Sequence, residues 1–285
     1  MKEVHHTIVI GAGQAGLATS WHLKRHGIEH VVLERGRIGE AWRSRRWDSF
    51  RLLLPNRVCQ LPGFGYTGDD PDGFMQKEDV IRFFDAYAAS FNPPVREGVA
   101  VTELRRGLAG HWQILTADGG VLGTDNVVVA TGAHQRPHIP GLAAHLDSRF
   151  AQVHSDHYRN PGQLPEGAVV VVGGGSSGGQ IASELVRSGR RVYLALGRCQ
   201  WLPRRYRGRD LTGWHEATGF SAQPVQSLPD PAARLRAPTH LMTPRRAATP
   251  RFIPDAFERE NLYRHCLQPG RRPAPDDWVA VAAGG

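Results

Sequence analysis

Hydrophobic and polar positions follow the same order in two stretches of the chain, residues 8–34 and residues 170–196. Each stretch begins with a short apolar run typical of a buried strand and passes through a glycine-rich turn into an amphipathic helical pattern. Each then ends with a glycine and a second apolar run. A shift of 162 residues, without a gap, places Gly11 on Gly173. The sequence therefore predicts two copies of one strand–helix–strand unit.

Further elements are predicted between the two copies. The spacing of apolar positions predicts a helix over residues 77–91. Short apolar runs predict strands over residues 98–105, 111–116, 121–123 and 126–130. Strands and helices that alternate in this way are typical of an α/β fold with parallel strands.

The turn in each copy reads Gly-x-Gly-x-x-Gly, which is the pattern of a dinucleotide-binding turn. The first glycine makes a tight turn, the second lets the backbone approach a pyrophosphate, and the third lets the helix pack closely on the strand. The N-terminus of the following helix favours negative charge. Two unrelated strand–turn–helix units are the alternative, but here each turn has the required strand before it and helix after it.

The two copies differ at the end of the second strand, where the ribose of a bound nucleotide would lie. The first copy has Glu34 there, and its carboxylate can accept hydrogen bonds from the ribose of FAD or NAD. The second copy has Leu196, followed two positions later by Arg198. An arginine can pair with the 2′-phosphate of NADP. We therefore expect an FAD or NAD site and an NADP site, although a solvated surface arginine is the alternative for Arg198.

Composition and charge exclude several other classes of protein. The chain has 285 residues and a formal net charge of +8, but its 32 Arg and 3 Lys residues are scattered, which argues against a nucleic-acid partner. The three cysteines, Cys59, Cys199 and Cys266, include no CxxC pair, and the 14 His residues show no metal-ligand spacing. No apolar run has the length of a membrane span and no signal-peptide pattern opens the chain, so we expect a cytoplasmic protein.

A series of short motifs follows a fixed order between about residue 5 and about residue 236. The motifs are Gly11–Gly16, Glu34-Arg35, Gly39–Trp42, LLLPNRVCQLPGF, Val129–Gly132, Pro140-Gly141, His154–Arg159 and Gly173–Gly178. Together they resemble the flavin-containing monooxygenase superfamily, in particular a bacterial branch similar to the plant YUCCA enzymes. Two details depart from the family: Ser176 stands where Asn is common, and the segment before His154 is short and lacks glycine.

The resemblance implies an α/β fold with two Rossmann-like units. These are an FAD-binding domain over residues 1–164 and a partial NADPH-binding domain over residues 165–236. In this superfamily NADPH reduces FAD, and the reduced flavin combines with O₂ to give a C4a-hydroperoxyflavin, which oxygenates nitrogen, sulfur or a carbonyl compound. The implied partners are therefore a small-molecule substrate and O₂, and the resemblance allows a homodimer.

The resemblance and the two glycine turns predict cofactor contacts at two sites. For FAD they predict Gly11, Gly13, Gln14, Ala15, Gly16, Glu34, Arg35, Trp42, Val101, Ala130, Thr131 and Gly132. For NADPH they predict Gly173, Gly175, Ser176, Ser177, Gly178 and Arg198. No catalytic side chain is assigned, because a flavin itself carries the chemistry, and no metal ligands are expected.

The C-terminal part departs most from the family, whose members continue further and complete both domains. Residues 224–285 hold 10 of the 20 prolines and show no sustained helical or strand period. We expect an irregular Pro/Arg-rich tail over residues 237–285. It is either the product of a reading-frame shift near residue 236 or a disordered segment, and the activity of this form is then reduced or lost.

Two other functions stay open at this point. One is an NAD(P)H-dependent flavin or disulfide-type reductase, which shares the paired nucleotide units but would need a dithiol that the sequence does not offer as CxxC. The other is a nucleotide-binding remnant without catalytic activity.

Overall fold

The computed structural model describes residues 3–107, 111–195, 204–219, 224 and 278–282. The chain divides into two compact units. Unit 1 comprises Met1–His138 and Asp156–Arg159, and unit 2 comprises Ile139–Ser155 and Asn160–Gly285. Each unit contains a sheet with parallel strands and helices that connect them, so the predicted α/β class is confirmed.

Unit 1 contains eight of the described strands and three α-helices. The strands are β1 (Glu3–Ile10), β2 (His30–Leu33), β3 (Gln60–Leu61), β4 (Phe64–Gly65), β5 (Val95–Arg96), β6 (Val101–Arg106), β7 (Trp112–Thr116) and β8 (Val121–Val129). The helices are α1 (Gln14–Arg25), α2 (Glu40–Ser44) and α3 (Lys77–Phe91). Helix α3 has the predicted bounds, whereas the two strands predicted over residues 121–130 form the single strand β8.

The main sheet of unit 1 has the order β5–β2–β1–β8–β7–β6. The first four strands are parallel, and β7 and β6 continue the sheet in antiparallel pairing. The parallel strands all end at one edge of the sheet, beside the turn that leads into α1. Ligands of open α/β sheets bind at this carboxyl edge.

Side chains of β1 alternate between two apolar clusters, as the period of a strand requires. Ile8 and Ile10 pack with Leu33 on one face of the sheet. Val9 packs on the other face in a cluster that includes Leu17 of α1. This cluster also contains Val32, Phe84 and Tyr87, which join the sheet to α3. Burial on both faces of β1 fixes the register of the strand and thereby the position of the glycine turn that follows it.

Unit 2 has a four-stranded parallel sheet of the order β11–β10–β14–β9. The strands of the unit are β9 (Gln152–His154), β10 (Ala168–Val172), β11 (Val192–Ala195), β12 (Arg205–Tyr206), β13 (Arg209–Asp210) and β14 (Trp278–Ala282). Strands β12 and β13 form a separate hairpin. The helices are α4 (Ser176–Arg187), which links β10 to β11, and α5 (Leu211–Ala217).

Strand β14 differs from the irregular tail expected over residues 237–285. It pairs in parallel with β10 on one side and β9 on the other. Its sequence is the five-residue run WVAVA, which is too short to show a period against its Pro-rich surroundings. Its partner β10 ends about a hundred residues earlier in the chain, and a pairing of that range has no local sequence signal. The remaining tail residues lie outside the described residues.

Candidate functional site

A cavity of about 720 Å³ lies in unit 1 at the carboxyl edge of its parallel strands. This volume is in the range of roughly 300–1,000 Å³ that is usual for small-molecule and cofactor sites. The cavity is lined by eleven of the twelve residues predicted to contact FAD: Gly11, Gly13, Gln14, Ala15, Glu34, Arg35, Trp42, Val101, Ala130, Thr131 and Gly132. The twelfth, Gly16, is buried beneath the cavity at the contact between α1 and β1.

The three glycines of the first turn differ in the space around them. Gly11 has a φ of +106°, and a Cβ there would lie 2.6 Å from the carbonyl oxygen of Ala130. A Cβ on Gly16 would lie 1.8 Å from the carbonyl oxygen of Gly11, so the helix can pack this closely only without a side chain. A Cβ on Gly13, by contrast, would meet nothing within 4 Å. Gly11 and Gly16 are therefore required by the fold itself, whereas the space before Gly13 is free for a ligand.

Helix α1 presents its N-terminus to this free space. Its first residue is Gln14, and Gly13 at the N-cap forms no side-chain hydrogen bond that would cap the helix. No acidic residue lies in the first turn, whereas His22, Lys24 and Arg25 lie in the last turn. The positive charges of Lys24 and Arg25 interact favourably with the C-terminal end of the helix dipole. The N-terminal end carries no negative side chain in its first turn and can attract an anion.

Glu34 lies 8% exposed at the end of β2. One carboxylate oxygen, Oε2, accepts the backbone N–H of Ala12 at 2.7 Å, and Oε1 accepts the backbone N–H of Gly36 at 2.9 Å. An ionised carboxylate has about four acceptor positions, and these two bonds use one on each oxygen. The side chain thus fastens the glycine turn to the strand end, and it keeps acceptor capacity toward the cavity.

Helix α2 supplies an aromatic wall of the cavity. Gly39, which precedes it with a φ of +68°, donates its N–H to the carbonyl oxygen of Ala12 at 3.1 Å and so ties the helix to the glycine turn. The ring of Trp42 lies 5.6 Å from that of Phe50. The guanidinium of Arg46 lies over both rings, at 5.0 Å and 5.7 Å. Burial lowers the pKa of Arg46 from its usual value, with Asp156 opposing the shift and Arg45 adding to it.

Another wall comes from the segment after β8. Gln135 lines the cavity, and its Oε1 accepts a hydrogen bond from Nη2 of Arg35 at 2.7 Å. Nη1 of Arg45 donates to the backbone carbonyl of Gln135 at 3.2 Å. Two arginines from different parts of the chain thus hold this segment beside the cavity.

Sequence reasoning did not single out several residues of the cavity. Among these residues are Gln60, Leu61, Pro62, Val99 and Gln135. The first three lie in the LLLPNRVCQLPGF motif, which could have indicated them. Gln135 follows the strand end of β8 by a few residues, and only its contacts with Arg35 and Arg45 distinguish it from other loop residues.

The turn of the second copy has the geometry of the first. Gly173 has a φ of +115°, and its N–H donates to Ala195 at 3.0 Å, just as the N–H of Gly11 donates to Leu33 at 2.7 Å. Gly175 precedes α4 as its N-cap without a side-chain cap, and a Cβ there would meet nothing within 4 Å. Ser176 and Ser177 open α4, and Gly178 is buried in it. Leu196 and Arg198 lie outside the described residues.

Neither a membrane-spanning helix nor a metal cluster occurs in the described part of the chain. None of its helices has the length and hydrophobicity that a membrane crossing requires. Among the same residues, no three or more His, Cys, Asp and Glu side chains are grouped so that they could hold a metal ion.

The fold defines a protein with two Rossmann-like α/β units, each with a glycine turn before its first helix. Residues 8–214 match the family model described as pyridine nucleotide-disulphide oxidoreductase, and the chain belongs to this family. It is a member of the flavin monooxygenase superfamily. An uncharacterized CzcO-like oxidoreductase of Geobacillus kaustophilus is 37% identical over 222 residues, which cover 77% of this chain and 62% of that protein. Indole-3-pyruvate monooxygenase YUCCA1 of Oryza sativa subsp. japonica is 31% identical over 66% of this chain and 47% of the enzyme.

Solved structures share the fold. A flavin-containing monooxygenase from Stenotrophomonas maltophilia superposes with a TM-score of 0.70 at 20% identity, over 99% of this chain and 78% of that one. The enzyme OTEMO, in complex with FAD and NADP, superposes with a TM-score of 0.53 at 19% identity, over 68% of this chain and 38% of that one. The chain spans less than two thirds of the length of the two sequence relatives.

Proposed function

We propose that the chain is an FAD- and NADPH-dependent monooxygenase that oxygenates a small organic substrate at nitrogen, at sulfur or beside a carbonyl group. The observation that carries this proposal is the cavity of unit 1. It combines free space before Gly13, an uncapped helix N-terminus and a buried carboxylate with spare acceptor capacity. The relatives of the chain are flavin-dependent oxidoreductases and monooxygenases, which also supports the proposal.

The residues of this cavity fit FAD. The backbone amides at the start of α1 would bind the pyrophosphate, because they lie beside the free space at Gly13. Glu34 would accept hydrogen bonds from the ribose. When bound, FAD would supply the redox chemistry by taking a hydride from NADPH and reacting with O₂ in its reduced form. The protein would contribute binding, orientation and, through Trp42 and Gln135, shielding from water.

We assign NADPH to the second glycine turn. Its backbone has the same open N-cap at Gly175, and Ser176 and Ser177 add hydroxyl groups at the start of α4. Arg198 would pair with the 2′-phosphate. On this proposal unit 1 binds FAD and unit 2 binds NADPH. The predicted domain bounds of 1–164 and 165–236, a homodimer and a cytoplasmic location stay predictions.

The test begins with the purified chain. We expect flavin absorbance that is released on denaturation as FAD, and oxidation of NADPH in preference to NADH. The rate and the oxygenated product should then depend on an added sulfide, amine or ketone. A protein that binds neither FAD nor NADPH would contradict the proposal, and NADPH oxidation without any oxygenated product would favour a reductase.

A disulfide-type reductase is less well supported, although the family model carries that name. The described cysteine, Cys59, is buried, and burial raises the pKa of its thiol. Its Sγ donates to the carbonyl oxygen of Pro55 at 3.6 Å. A thiol of this kind is a poor nucleophile, because the thiolate is the reactive form. Cys199 and Cys266 lie outside the described residues.

A further inference from the structure

One side-chain hydrogen bond joins the two strand ends that flank the glycine turn of unit 1. Arg35 follows the end of β2, and Gln135 follows the end of β8. Nη2 of Arg35 donates to Oε1 of Gln135 at 2.7 Å, across 100 positions of the chain. Both residues line the cavity. We call this hydrogen bond the Arg35–Gln135 bridge.

The Arg35–Gln135 bridge spans the carboxyl end of β1. In the sheet, β1 lies between β2 and β8, so these two outer strands are about 10 Å apart. A bond between residues that follow them crosses the position where the turn begins at Gly11. Arg35 and residues 131–134 are exposed, whereas Ala12 in the turn and Leu33 at the strand end are buried. The bridge thus lies on the solvent side of the cavity.

Contacts on both its backbone and its side chain hold Gln135 in place. Nη1 of Arg45 donates to the backbone carbonyl of Gln135 at 3.2 Å, and the same nitrogen lies 3.7 Å from Oδ2 of Asp156. The side-chain amide packs on Gly132, where a Cβ would lie 3.1 Å from Nε2 of Gln135. Opening of the Arg35–Gln135 bridge therefore needs rotation of side chains rather than movement of the backbone.

The cavity has its volume of about 720 Å³ with the bridge formed, so the bridge and a bound dinucleotide can coexist. A dinucleotide that enters or leaves on the solvent side has to pass the two side chains. We propose that the Arg35–Gln135 bridge is a gate that opens for each entry or exit of FAD and so sets the rate at which the cofactor exchanges. That the ligand is FAD rests on the proposed function.

A gate has a kinetic signature that a direct cofactor contact lacks. The bridge is closed before and after binding, so its opening adds the same free energy to the barrier for entry and to the barrier for exit. Its removal should therefore accelerate both rates by the same factor and leave the Kd unchanged. Loss of a direct contact would instead accelerate exit alone and weaken binding.

The gate is tested with Gln135→Ala in the full-length chain. Entry of FAD is followed by the change in flavin fluorescence after stopped-flow mixing, and exit by the same signal after dilution of the loaded protein. We expect both rates to rise by about fivefold, the effect of one partly exposed hydrogen bond to a charged group, with an unchanged Kd. The matched control is Gln113→Ala, because Gln113 lies on β7 outside the cavity lining. It should leave both rates as in the parent.

A double-mutant cycle tests whether the two side chains act through one bond. Once Arg35→Ala has removed the donor, Gln135→Ala should change neither rate further. Additive acceleration would overturn the proposal, and so would unchanged rates in Gln135→Ala or a faster exit with weaker binding. In each of these cases the parent still binds FAD and the proposed function stands. A parent chain that takes up no FAD would overturn the proposed function and the gate with it.

Discussion

The two hydrogen bonds of Glu34 predict that this carboxylate stabilises the protein before any cofactor binds. Ala12 N–H and Gly36 N–H donate to different oxygens, at 2.7 Å and 2.9 Å. In Glu34→Gln one oxygen becomes an NH₂ group of nearly the same size. That group must face one of the two backbone donors, so one hydrogen bond is lost and a buried N–H is left without an acceptor.

The cost of this substitution is about 1.5–3 kcal/mol, the usual contribution of a hydrogen bond to a charged group. For a domain of this size it lowers the melting temperature by roughly 3–12 °C. The assay is thermal unfolding of the flavin-free protein, followed by circular dichroism. A second measurement, the FAD retained after gel filtration, should also fall because the charged ribose acceptor is gone.

A matched control is Glu97→Gln. Glu97 also accepts one backbone N–H, that of Ile38 at 2.7 Å, but the side chain is exposed and a glutamine oxygen can replace the carboxylate oxygen there. We expect the melting temperature of this variant to stay close to that of the parent. If Glu34→Gln unfolds at the same temperature as the control, the carboxylate does not fasten the turn and the reasoning is refuted.

Three further predictions follow, two from the structure and one, for Arg198, from the sequence. Gly13→Val should abolish FAD retention, while the flavin-free protein keeps its melting temperature. Gly16→Ala should lower the melting temperature, because a Cβ at Gly16, unlike one at Gly13, meets backbone. Equal melting temperatures of the two variants would contradict this reasoning. Arg198→Ala should weaken NADPH binding about tenfold and leave NADH unchanged in a fluorescence titration. Tyr87→Phe should not reduce stability, because the buried hydroxyl has no hydrogen-bond partner among the described residues. Burial raises the pKa of Tyr87 to about 12, so stability to denaturant should fall as the pH rises from about 10 to 12 in the parent and fall less in the variant.

The elements that sequence reasoning predicted well are those with a local signal. The glycine turn, α1 and Glu34 lie within 27 consecutive residues whose period and punctuation indicate a strand–helix–strand unit. Helix α3 was predicted with its observed bounds for the same reason, because its apolar positions repeat within its own 15 residues. In these cases local propensity and final fold agree, as they do in most natural sequences.

The features that sequence reasoning missed depend on contacts between distant residues. Arg45 holds Gln135 across 90 positions of the chain, and no spacing rule relates such a pair. Strand β14 finds its partners only through register with β10 and β9. Even for Glu34, the sequence predicted an acceptor for a ribose but not the bond to Ala12, because the fold of the turn determines which N–H groups point at the carboxylate.

The two units share their backbone arrangement only as far as the internal repeat extends. Through the second strand, backbone hydrogen bonds recur at a shift of 162, from the tie of Gly11 to Leu33 to that of Gly173 to Ala195. Among the described residues beyond that strand the correspondence ends. Trp42, which lines the cavity of unit 1, falls on Arg204, whose Nε pairs with Asp210 at 2.7 Å. On the proposed function both turns bind a dinucleotide, and we expect cofactor choice to come from Glu34 in the first copy and Arg198 in the second. We expect substrate choice to come from loops of unit 1, such as the segment 39–62, whose Trp42 lines the cavity. Exchanging the segment 39–62 with that of a relative should therefore change the substrate accepted and, because Trp42 and Pro62 line the cavity, also the retention of FAD.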